Sequence, residues 1–377
     1  MTLIACGLFV PGTPSWTAHP NQGGPTVTAR ICMATRKKSM STIVNSIAPL
    51  VLIILAGLAA GVTGVLPSTF RTPLSDFCYY FGMPALLVRT IATAPPGSTA
   101  AHLIWISYLL PAAAIWILAS LFARQDRSNS GSEAPAIAMA SAYGNVIMLG
   151  IPLAFAQFGP KAATTVAFIV LVHSPVLFLL AALHSELADG RRASRLHEAA
   201  LFNPKGTMSP YRGRAVGASF VRATRDVSID LATNPIMIAI LIGLALRTSG
   251  VGLDPISSAA LSLLAQAALP CVLLAMGLGL STFALKGKIG VVAMISALKL
   301  GAMPSIAFLV ADRLFHLPST DVAIITLLSA MPTGANAYVF ARRSGKAEAS
   351  VSGAVALSTM ASIVTITTVL AMLARAE

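Results

Sequence analysis

Leu327–Arg343 reads LLSAMPTGANAYVFARR, and this stretch shows what kind of protein the chain is. Its flanks are apolar enough to lie in a membrane, whereas its middle, from Pro332 to Asn336, disfavours a continuous helix. Proline removes a backbone hydrogen-bond donor and clashes with the preceding turn, and glycine adds backbone freedom. In hydrocarbon, a broken backbone is stable only where protein or a water-filled cavity satisfies the freed groups. The stretch therefore predicts a membrane helix that is broken inside protein or beside water.

A second stretch of the same character, SAYGNVIMLGIPLA, occupies Ser141–Ala154. Gly144, Asn145, Gly150 and Pro152 interrupt its apolar run. Two interrupted segments in corresponding halves of a membrane protein are the best sequence-level pointer to the binding site of a transporter. The pattern thus favours a mechanism class and leaves the substrate open.

The composition places most of the chain in a membrane. Of its 377 residues, 56% are hydrophobic and only 10% are charged, and the mean hydropathy is +0.79. A soluble protein carries about 25% charged residues. The formal net charge of +13 does not predict a nucleic-acid partner, because the basic residues lie in short loops between apolar runs and form no patch with aromatics. The four cysteines lack CxxC spacing, so no disulfide framework, metal or other cofactor is expected.

Ten apolar segments near the roughly 20-residue length of a membrane span follow from Ile43 onward. Residues 1–39, with their prolines and a basic cluster at 36–38, are interpreted as a disordered tail or a misassigned start that precedes Met40. Residues 186–231 form one long basic loop between the fifth and sixth segments. The segments cover about 43–63, 73–93, 101–123, 135–157, 161–184, 232–249, 257–283, 289–311, 319–341 and 349–373.

Glycines and prolines recur at one spacing in the two halves. Four of them lie 186 residues before a residue of the same type: Pro49 and Pro235, Gly57 and Gly243, Gly64 and Gly250, Pro84 and Pro270. Because these residue types have backbone meaning, the coincidences indicate an internal repeat. Residues 40–185 and 232–377 are then two copies of a five-helix unit. Segment four corresponds to segment nine, and Asn145 corresponds to Asn336. Five is odd, so the second copy starts on the opposite side of the membrane and the repeats are inverted.

Loop charge predicts the orientation. The loops after the odd-numbered segments hold sixteen Lys and Arg residues, whereas the opposite side of residues 40–377 holds four. Positive residues collect on the cytoplasmic side. We therefore expect a multi-pass protein of the inner (plasma) membrane with the 186–231 loop in the cytoplasm. The basic cluster at 36–38 opposes this topology, which is a further reason to doubt residues 1–39.

Three groups of residues resemble the auxin efflux carrier family, which includes plant auxin carriers and bacterial proteins assigned to malonate and other organic acids. They are Gly144-Asn145 with Gly150-Ile151-Pro152, Ala330-Met331-Pro332 with Asn336-Ala337-Tyr338 and Ala341, and Leu357-Ser358-Thr359 with Ser362. The resemblance implies an all-α polytopic membrane protein of ten transmembrane helices in two inverted repeats, each with a scaffold part and a transport part. The fourth and ninth helices would be broken and cross near the midplane, similar to sodium/proton antiporters and bile-acid symporters. In plant members the crossing recognises the carboxylate of the substrate, and Asn145 and Asn336 match those positions.

The candidate binding residues follow from both lines of argument. An asparagine beside a half-helix N-terminus suits a carboxylate, although each could instead satisfy only the backbone groups that its own break frees. Lys299 lies too deep in segment eight to reach the surface easily, so it could balance a substrate carboxylate or exchange a proton, with Asp76 and Asp312 as candidate partners. The candidates for substrate binding are Asn145, Asn336, Gly144, Pro152, Pro332, Gly334 and Lys299.

The function expected is secondary transport, by alternating access, of a small organic anion such as a malonate-like or auxin-like mono- or dicarboxylate. A primary transporter is disfavoured because the chain has no GxxxxGK[ST] loop, and an enzyme is disfavoured because segments four and nine supply amides in place of paired acids or a nucleophile. The alternatives are a non-transporting receptor or scaffold and an ion-coupled antiporter of the same architecture. The expected partners are the anion and the lipid bilayer, with a homodimer left open.

Overall fold

Helices make up almost all of the part of the chain that the computed structural model describes, which is residues 48–94, 99–125, 132–201, 233–282 and 287–373. Within these ranges the backbone forms no strand beyond one isolated bridge. The predicted tail of residues 1–39 lies outside them.

The first half contains a long, proline-containing helix on each side of a broken one. α2 and α3 are joined by a π-helical turn at Cys78–Gly82, and a second such turn, Val146–Gly150, leads into α6. Pro111 and Pro175 lie inside α4 and α7. The helices are α1 (Ala48–Val62), α2 (Arg71–Phe77), α3 (Met83–Thr93), α4 (Ala101–Gln125), α5 (Ala134–Ala142), α6 (Ile151–Phe158) and α7 (Ala163–Leu201).

In the second half, a broken helix again lies between two long helical stretches. α8 starts sharply because Pro235 follows Asn234, whose side chain accepts hydrogen bonds from the N–H groups of Ile236 and Met237. π-helical turns at Leu298–Ala302 and 309–314 interrupt the regular helix on either side of α11. The helices are α8 (Pro235–Ser249), α9 (Pro255–Thr282), α10 (Ile289–Ala297), α11 (Met303–Phe308), α12 (Ser319–Ser329), α13 (Ala335–Ser344) and α14 (Glu348–Leu373).

α7 is longer than the predicted fifth segment, and it continues beyond residue 184 to Leu201. The added residues are rich in Ala, Leu, Arg and Glu, which are strong helix formers. The first part of the expected polar loop is therefore helical. The remainder of that loop, residues 202–231, lies outside the described residues.

Among the described residues, five helical stretches are long and apolar enough to cross a membrane, and three shorter apolar helices accompany them. Large apolar side chains such as Leu121, Ile256 and Leu263 are exposed, as expected of a surface that faces lipid. These properties make the chain an all-helical polytopic membrane protein. The five stretches are Ala101–Gln125, Val146–Ala188, Pro255–Leu280, Ile289–Leu314 and Glu348–Met372, and the shorter helices are Ala48–Val62, Pro235–Ser249 and Ser319–Ser329.

The helices form two groups by their contacts. α3 packs on α8 and α9, and α9 also packs on α2. α4 packs on α5, α7 and α11, and α14 packs on α10 and α13. Asp321 in the first turn of α12 joins the second group together, since its carboxylate accepts hydrogen bonds from the hydroxyls of Thr99 and Thr165. We call the first group, with α1, the scaffold group, and the group that contains α4–α7 and α10–α14 the crossing group.

Candidate substrate site at the crossing of two broken helices

Two helices are broken in the stretches where the sequence predicts it. The first break lies between the end of α5 at Ala142 and the π-helical turn that starts at Val146. The second lies between the end of α12 at Ser329 and the start of α13 at Ala335. Asn336 therefore lies in the first turn of α13, because the helix resumes directly after the extended residue Gly334.

The two breaks cross and bind each other through the backbone. The N–H of Asn145 donates to the carbonyl oxygen of Pro332 at 2.7 Å, and the N–H of Gly334 donates to the carbonyl oxygen of Tyr143 at 3.0 Å. Protein groups thus satisfy part of the backbone that the two breaks free, as a non-helical segment at membrane depth requires.

Between these two bonds, Gly144 and Thr333 form the isolated antiparallel bridge, and side chains from other helices bind its outward-facing groups. On one side, Nε2 of His173 lies 3.1 Å from the carbonyl oxygen of Gly144. On the other, the N–H of Thr333 donates to Oγ of Ser358 at 3.1 Å. The hydroxyl of Thr333 also donates to the carbonyl oxygen of Ala140 at 3.0 Å. The crossing is therefore held from α7 and from α14.

Tyr143 connects the side chains of the two breaks, and sequence reasoning missed it. Nδ2 of Asn336 donates to the Tyr143 hydroxyl at 3.0 Å, and that hydroxyl lies 2.9 Å from Oγ of Ser174 on α7. A tyrosine beside Gly144 was the only signal in the sequence, and it is equally typical of a packed aromatic residue.

The two asparagines differ in their bonding. Asn145 is half-buried, and its side-chain amide has no hydrogen-bond partner within the ranges that the structure covers. Asn336 is exposed and uses one of its two amide N–H groups on Tyr143. Since an amide has two N–H donors, each asparagine keeps at least one donor for a ligand.

Lys299 lies against the first break and is fully buried. A Cβ atom placed on Gly144 would lie 3.0 Å from Cε and 3.1 Å from Nζ of Lys299. Nζ donates to the carbonyl oxygen of Ser329 at 2.6 Å and to Sδ of Met303 at 3.2 Å. Ser329 is the last residue of α12, so the ammonium group binds the partially negative C-terminus of a half-helix.

The proposed acidic partners of Lys299 do not contact it in the described part of the chain. The carboxylate of Asp312 pairs with Arg313 at 3.0 Å near the end of the same span. Asp76 belongs to α2, in the other group of helices. Among the described residues, Lys299 is bonded to a carbonyl oxygen and a thioether and to no acidic side chain.

The remaining candidates take supporting positions. Gly334 is needed for close approach, since a Cβ atom there would lie 2.8 Å from the ring of Tyr143. Pro332 supplies the carbonyl oxygen that accepts from Asn145. Pro152 is in the first turn of α6, beyond the Val146–Gly150 turn, so it is not part of the crossing itself.

An apolar cavity of about 30 Å³ adjoins the first break. It lies between α1 and α9 of the scaffold group and α6 and α14 of the crossing group. Leu149 of the turn that follows Asn145 is part of its wall, which is apolar almost throughout. None of the candidate binding residues lines it.

Comparison with known proteins gives two findings. The family model described as membrane transport protein matches residues 42–370. A protein of Rhizobium meliloti (strain 1021) described as "Putative malonate transporter" is 26% identical over 299 residues, which cover 78% of this chain and 84% of that protein.

Proposed function

Because the chain belongs to the membrane transport protein family, which confirms the resemblance to auxin efflux carriers, we propose that it is a secondary transporter that moves a small organic anion by alternating access. The observation that carries this proposal is the crossing of two broken helices, with unused amide donors and a buried ammonium group beside it. Such a crossing is how transporters build ion and substrate sites at membrane depth. The site needs no catalytic step.

The crossing attracts an anion by three contributions. The half-helices that begin at Val146 and Ala335 both start at the crossing, and each start carries unpaired N–H groups and partial positive charge. Asn145 and Asn336 add side-chain donors, and Lys299 adds an amine that bears a positive charge when protonated. We propose that the two amides hold a carboxylate and that Lys299 balances its charge or binds a second acidic group.

The donors at the crossing and the name of the relative favour a small substrate. The relative from Rhizobium meliloti carries malonate, a three-carbon dicarboxylate, in its name. The two amides and the Lys299 side chain suit the two carboxylates of such an anion. We therefore propose short mono- or dicarboxylates as the substrate class, with malonate as the first compound to test.

The ten-span inverted repeat remains our proposal for the architecture, and reciprocal contacts support it. A Cβ atom on Gly57 of α1 would lie 3.1 Å from Cα of Gly277 on α9. A Cβ atom on Gly243 of α8 would lie 2.9 Å from Cβ of Ile91 on α3. At the 186-residue offset, Gly57 corresponds to Gly243, and Ile91 corresponds to Gly277. The contact between Gly243 and Ile91 is therefore the contact between Gly57 and Gly277 with the two halves exchanged. Contacts that exchange in this way are typical of a two-fold relation.

A second set of contacts obeys the same offset. Sγ of Cys78 lies 3.6 Å from the carbonyl oxygen of Ala268, and a Cβ atom on Gly82 would lie 3.7 Å from the carbonyl oxygen of Leu264. The same atom on Gly82 would lie 2.8 Å from Cβ of Ala268, its own counterpart at 186 residues. We propose that a pseudo-two-fold axis passes between α3 and α9, in the plane of the membrane because each half has five spans.

Alternating access would then move the crossing group against the scaffold group. The cavity lies on the boundary between the two groups, and Arg247 of α8 donates to the hydroxyl of Thr164 on α7 at 3.2 Å across the same boundary. We place the protein in the inner membrane with the 186–231 loop in the cytoplasm, on the strength of loop charge.

The test is transport by purified protein in sealed liposomes. We expect saturable uptake of radiolabelled malonate or of another short carboxylate, inhibited by unlabelled carboxylates and absent from liposomes without protein. Binding without any uptake or exchange would favour the receptor alternative. Uptake that strictly requires an opposing sodium or proton gradient would favour the antiporter of the same architecture. If the protein neither binds nor transports any short carboxylate, the proposed substrate class is overturned.

A further inference from the structure

We propose that His173 and Ser358 are positioning residues: they lie on either side of the two breaks in a chain of hydrogen bonds that passes through both breaks and fixes the direction of the Asn145 amide. The inference rests on the proposed function, since it assigns these residues to the anion site at the crossing. Neither residue lies in the breaks themselves, and neither is among the candidates for substrate contact.

The chain begins at a buried tyrosine. The hydroxyl of Tyr108 on α4 lies 2.9 Å from Nδ1 of His173, and both residues are fully buried. Nε2 of the same ring lies 3.1 Å from the carbonyl oxygen of Gly144. A carbonyl oxygen only accepts, so Nε2 carries the proton, and Nδ1 then accepts from the tyrosine hydroxyl. The bonds therefore assign one tautomer to His173.

The next two links are peptide groups. The carbonyl oxygen of Gly144 and the N–H of Asn145 belong to one planar peptide unit. His173 holds the oxygen end of that plane, and the carbonyl oxygen of Pro332 accepts from its N–H end at 2.7 Å. With both ends bound, the plane cannot rotate, although glycine at residue 144 would otherwise permit it.

The chain continues in the second break in the same sense. Pro332 and Thr333 share the next peptide plane, whose oxygen end accepts from Asn145. Its N–H end donates to Oγ of Ser358 at 3.1 Å, and the serine hydroxyl donates to the carbonyl oxygen of Val355 at 3.4 Å. Every donor points the same way, from α4 through α7 and both breaks to α14. Hydrogen bonds aligned head to tail in a low-dielectric interior polarise and strengthen one another.

The consequence concerns the substrate. The Asn145 side chain leaves the backbone directly after the first held peptide plane, so rotation of that plane would swing its amide away from the crossing. Both ends of the chain are thus expected to affect anion affinity through Asn145, without touching the anion. His173 lies in the fifth predicted segment and Ser358 in the tenth, which are corresponding segments of the two halves.

Two variants at each end test the chain. His173→Phe removes the ring donor, whereas His173→Gln keeps an N–H at a similar distance from the backbone. Ser358→Ala removes the acceptor, whereas Ser358→Thr keeps it. Loss of one hydrogen bond predicts about a 2- to 12-fold rise in KM for malonate uptake, with kcat within about twofold and with recovery in the Gln and Thr variants. Ser296→Ala, which removes a buried hydroxyl bonded within its own helix, serves as the matched control and should change neither constant.

A second measurement does not depend on substrate. We expect amide hydrogen exchange at Asn145 and Thr333 to quicken in both His173→Phe and Ser358→Ala, because each variant opens one end of a shared chain. In the double variant the rise in KM should be smaller than the product of the two single effects. Faster exchange confined to the mutated end, or strictly multiplicative effects on KM, would overturn the chain. If the wild type handles no short carboxylate, the proposed substrate class fails, and the exchange data still decide whether the chain exists.

Discussion

At the residue scale, Asn145 and Asn336 are the side chains on which the proposed anion site depends most. Asn145 follows a peptide plane held at both ends and keeps a free amide, whereas Asn336 lies in the first turn of α13 and shares its amide with Tyr143. Asn145 is thus restrained at its backbone, and Asn336 is restrained at its side chain.

Replacing either asparagine by alanine should weaken anion binding while leaving the protein folded. A hydrogen bond to a charged group contributes about 1.5–3 kcal/mol, so the expected loss of affinity is on the order of ten- to a hundred-fold. Water that enters the crossing can replace the amide, so folding should suffer less. Calorimetric titration of the folded variants with malonate measures the effect.

Tyr143→Phe provides the control for Asn336. It removes the hydroxyl that Asn336 bonds to and keeps the ring that packs against Gly334. If Asn336→Ala binds malonate as tightly as the wild type, Asn336 is a structural group and not a ligand. If Tyr143→Phe alone reproduces the loss, the tyrosine is the more important of the two.

Lys299→Met should weaken binding of dicarboxylates more than that of monocarboxylates. Methionine matches the length of the lysine stem, so packing against Gly144 is largely kept while the charge is lost. If Lys299 only caps the C-terminus of α12, the variant should lower the affinity for malonate and acetate by the same factor. A malonate-to-acetate affinity ratio equal to that of the wild type would therefore contradict a bond between Lys299 and a second acidic group of the substrate.

The sequence indicated the breaks well and their bonding poorly. Gly144 and Pro332 disfavour a continuous helix whatever their neighbours are, so the position of the crossing was predictable from the sequence. Tyr143 and Ser358 act through hydrogen bonds across tertiary contacts, and neither residue type differs there from a packed or helix-bonded one. Asp76 and Asp312 were wrong as partners of Lys299, whose Nζ donates to the backbone carbonyl oxygen of Ser329. The sequence shows where charged residues are, but it does not show which backbone carbonyl group lies near a lysine in the fold.

At the element scale, closely packed glycines hold the scaffold group together. α1 and α9 touch through their backbones, because a Cβ atom on Gly277 would lie only 2.1 Å from the carbonyl oxygen of Ile54. Small residues at a helix crossing permit such approach in membranes, where packing and interhelical hydrogen bonds drive association in place of the hydrophobic effect. The boundary of α7 shows the limit of pattern reasoning, since hydropathy ends near residue 184 while helix propensity continues to Leu201.

Gly277→Ala should therefore destabilise the protein. The added methyl group meets backbone atoms that cannot rotate away, and overpacking of this kind costs about 1–3 kcal/mol or more. Thermal unfolding in detergent measures the effect. Gly290→Ala on α10 is the matched control, since a Cβ atom there meets nothing within 4 Å. Equal midpoints for the two variants would contradict the close approach of α1 and α9.

At the scale of the whole molecule, reciprocal contacts and alternating loop charge both favour the proposed inverted repeat. In the described part of the chain, Arg124 and Lys288 lie at the ends of odd-numbered segments. Lys161 and Arg247 lie at the ends of even-numbered segments. In the proposed ten-span repeat, an odd number of spans in each half would invert the second half and keep this alternation in register. Two halves related in this way would each supply one broken helix, so that a single crossing would be reached from both sides of the membrane.

The orientation itself can be tested with single cysteines in a background without the four native ones. A cysteine at Ser209, between α7 and α8, should resist an impermeant maleimide in intact cells and react after the membrane is permeabilised, because the count of sixteen basic residues against four favours a cytoplasmic position for that segment. A cysteine at Gly252 is the matched control: this exposed residue lies between α8 and α9, where a Cβ atom meets nothing within 4 Å, and it should react from outside. The reverse pattern, with Ser209→Cys labelled first, would invert the molecule and would place the N-terminal end of α1 in the cytoplasm.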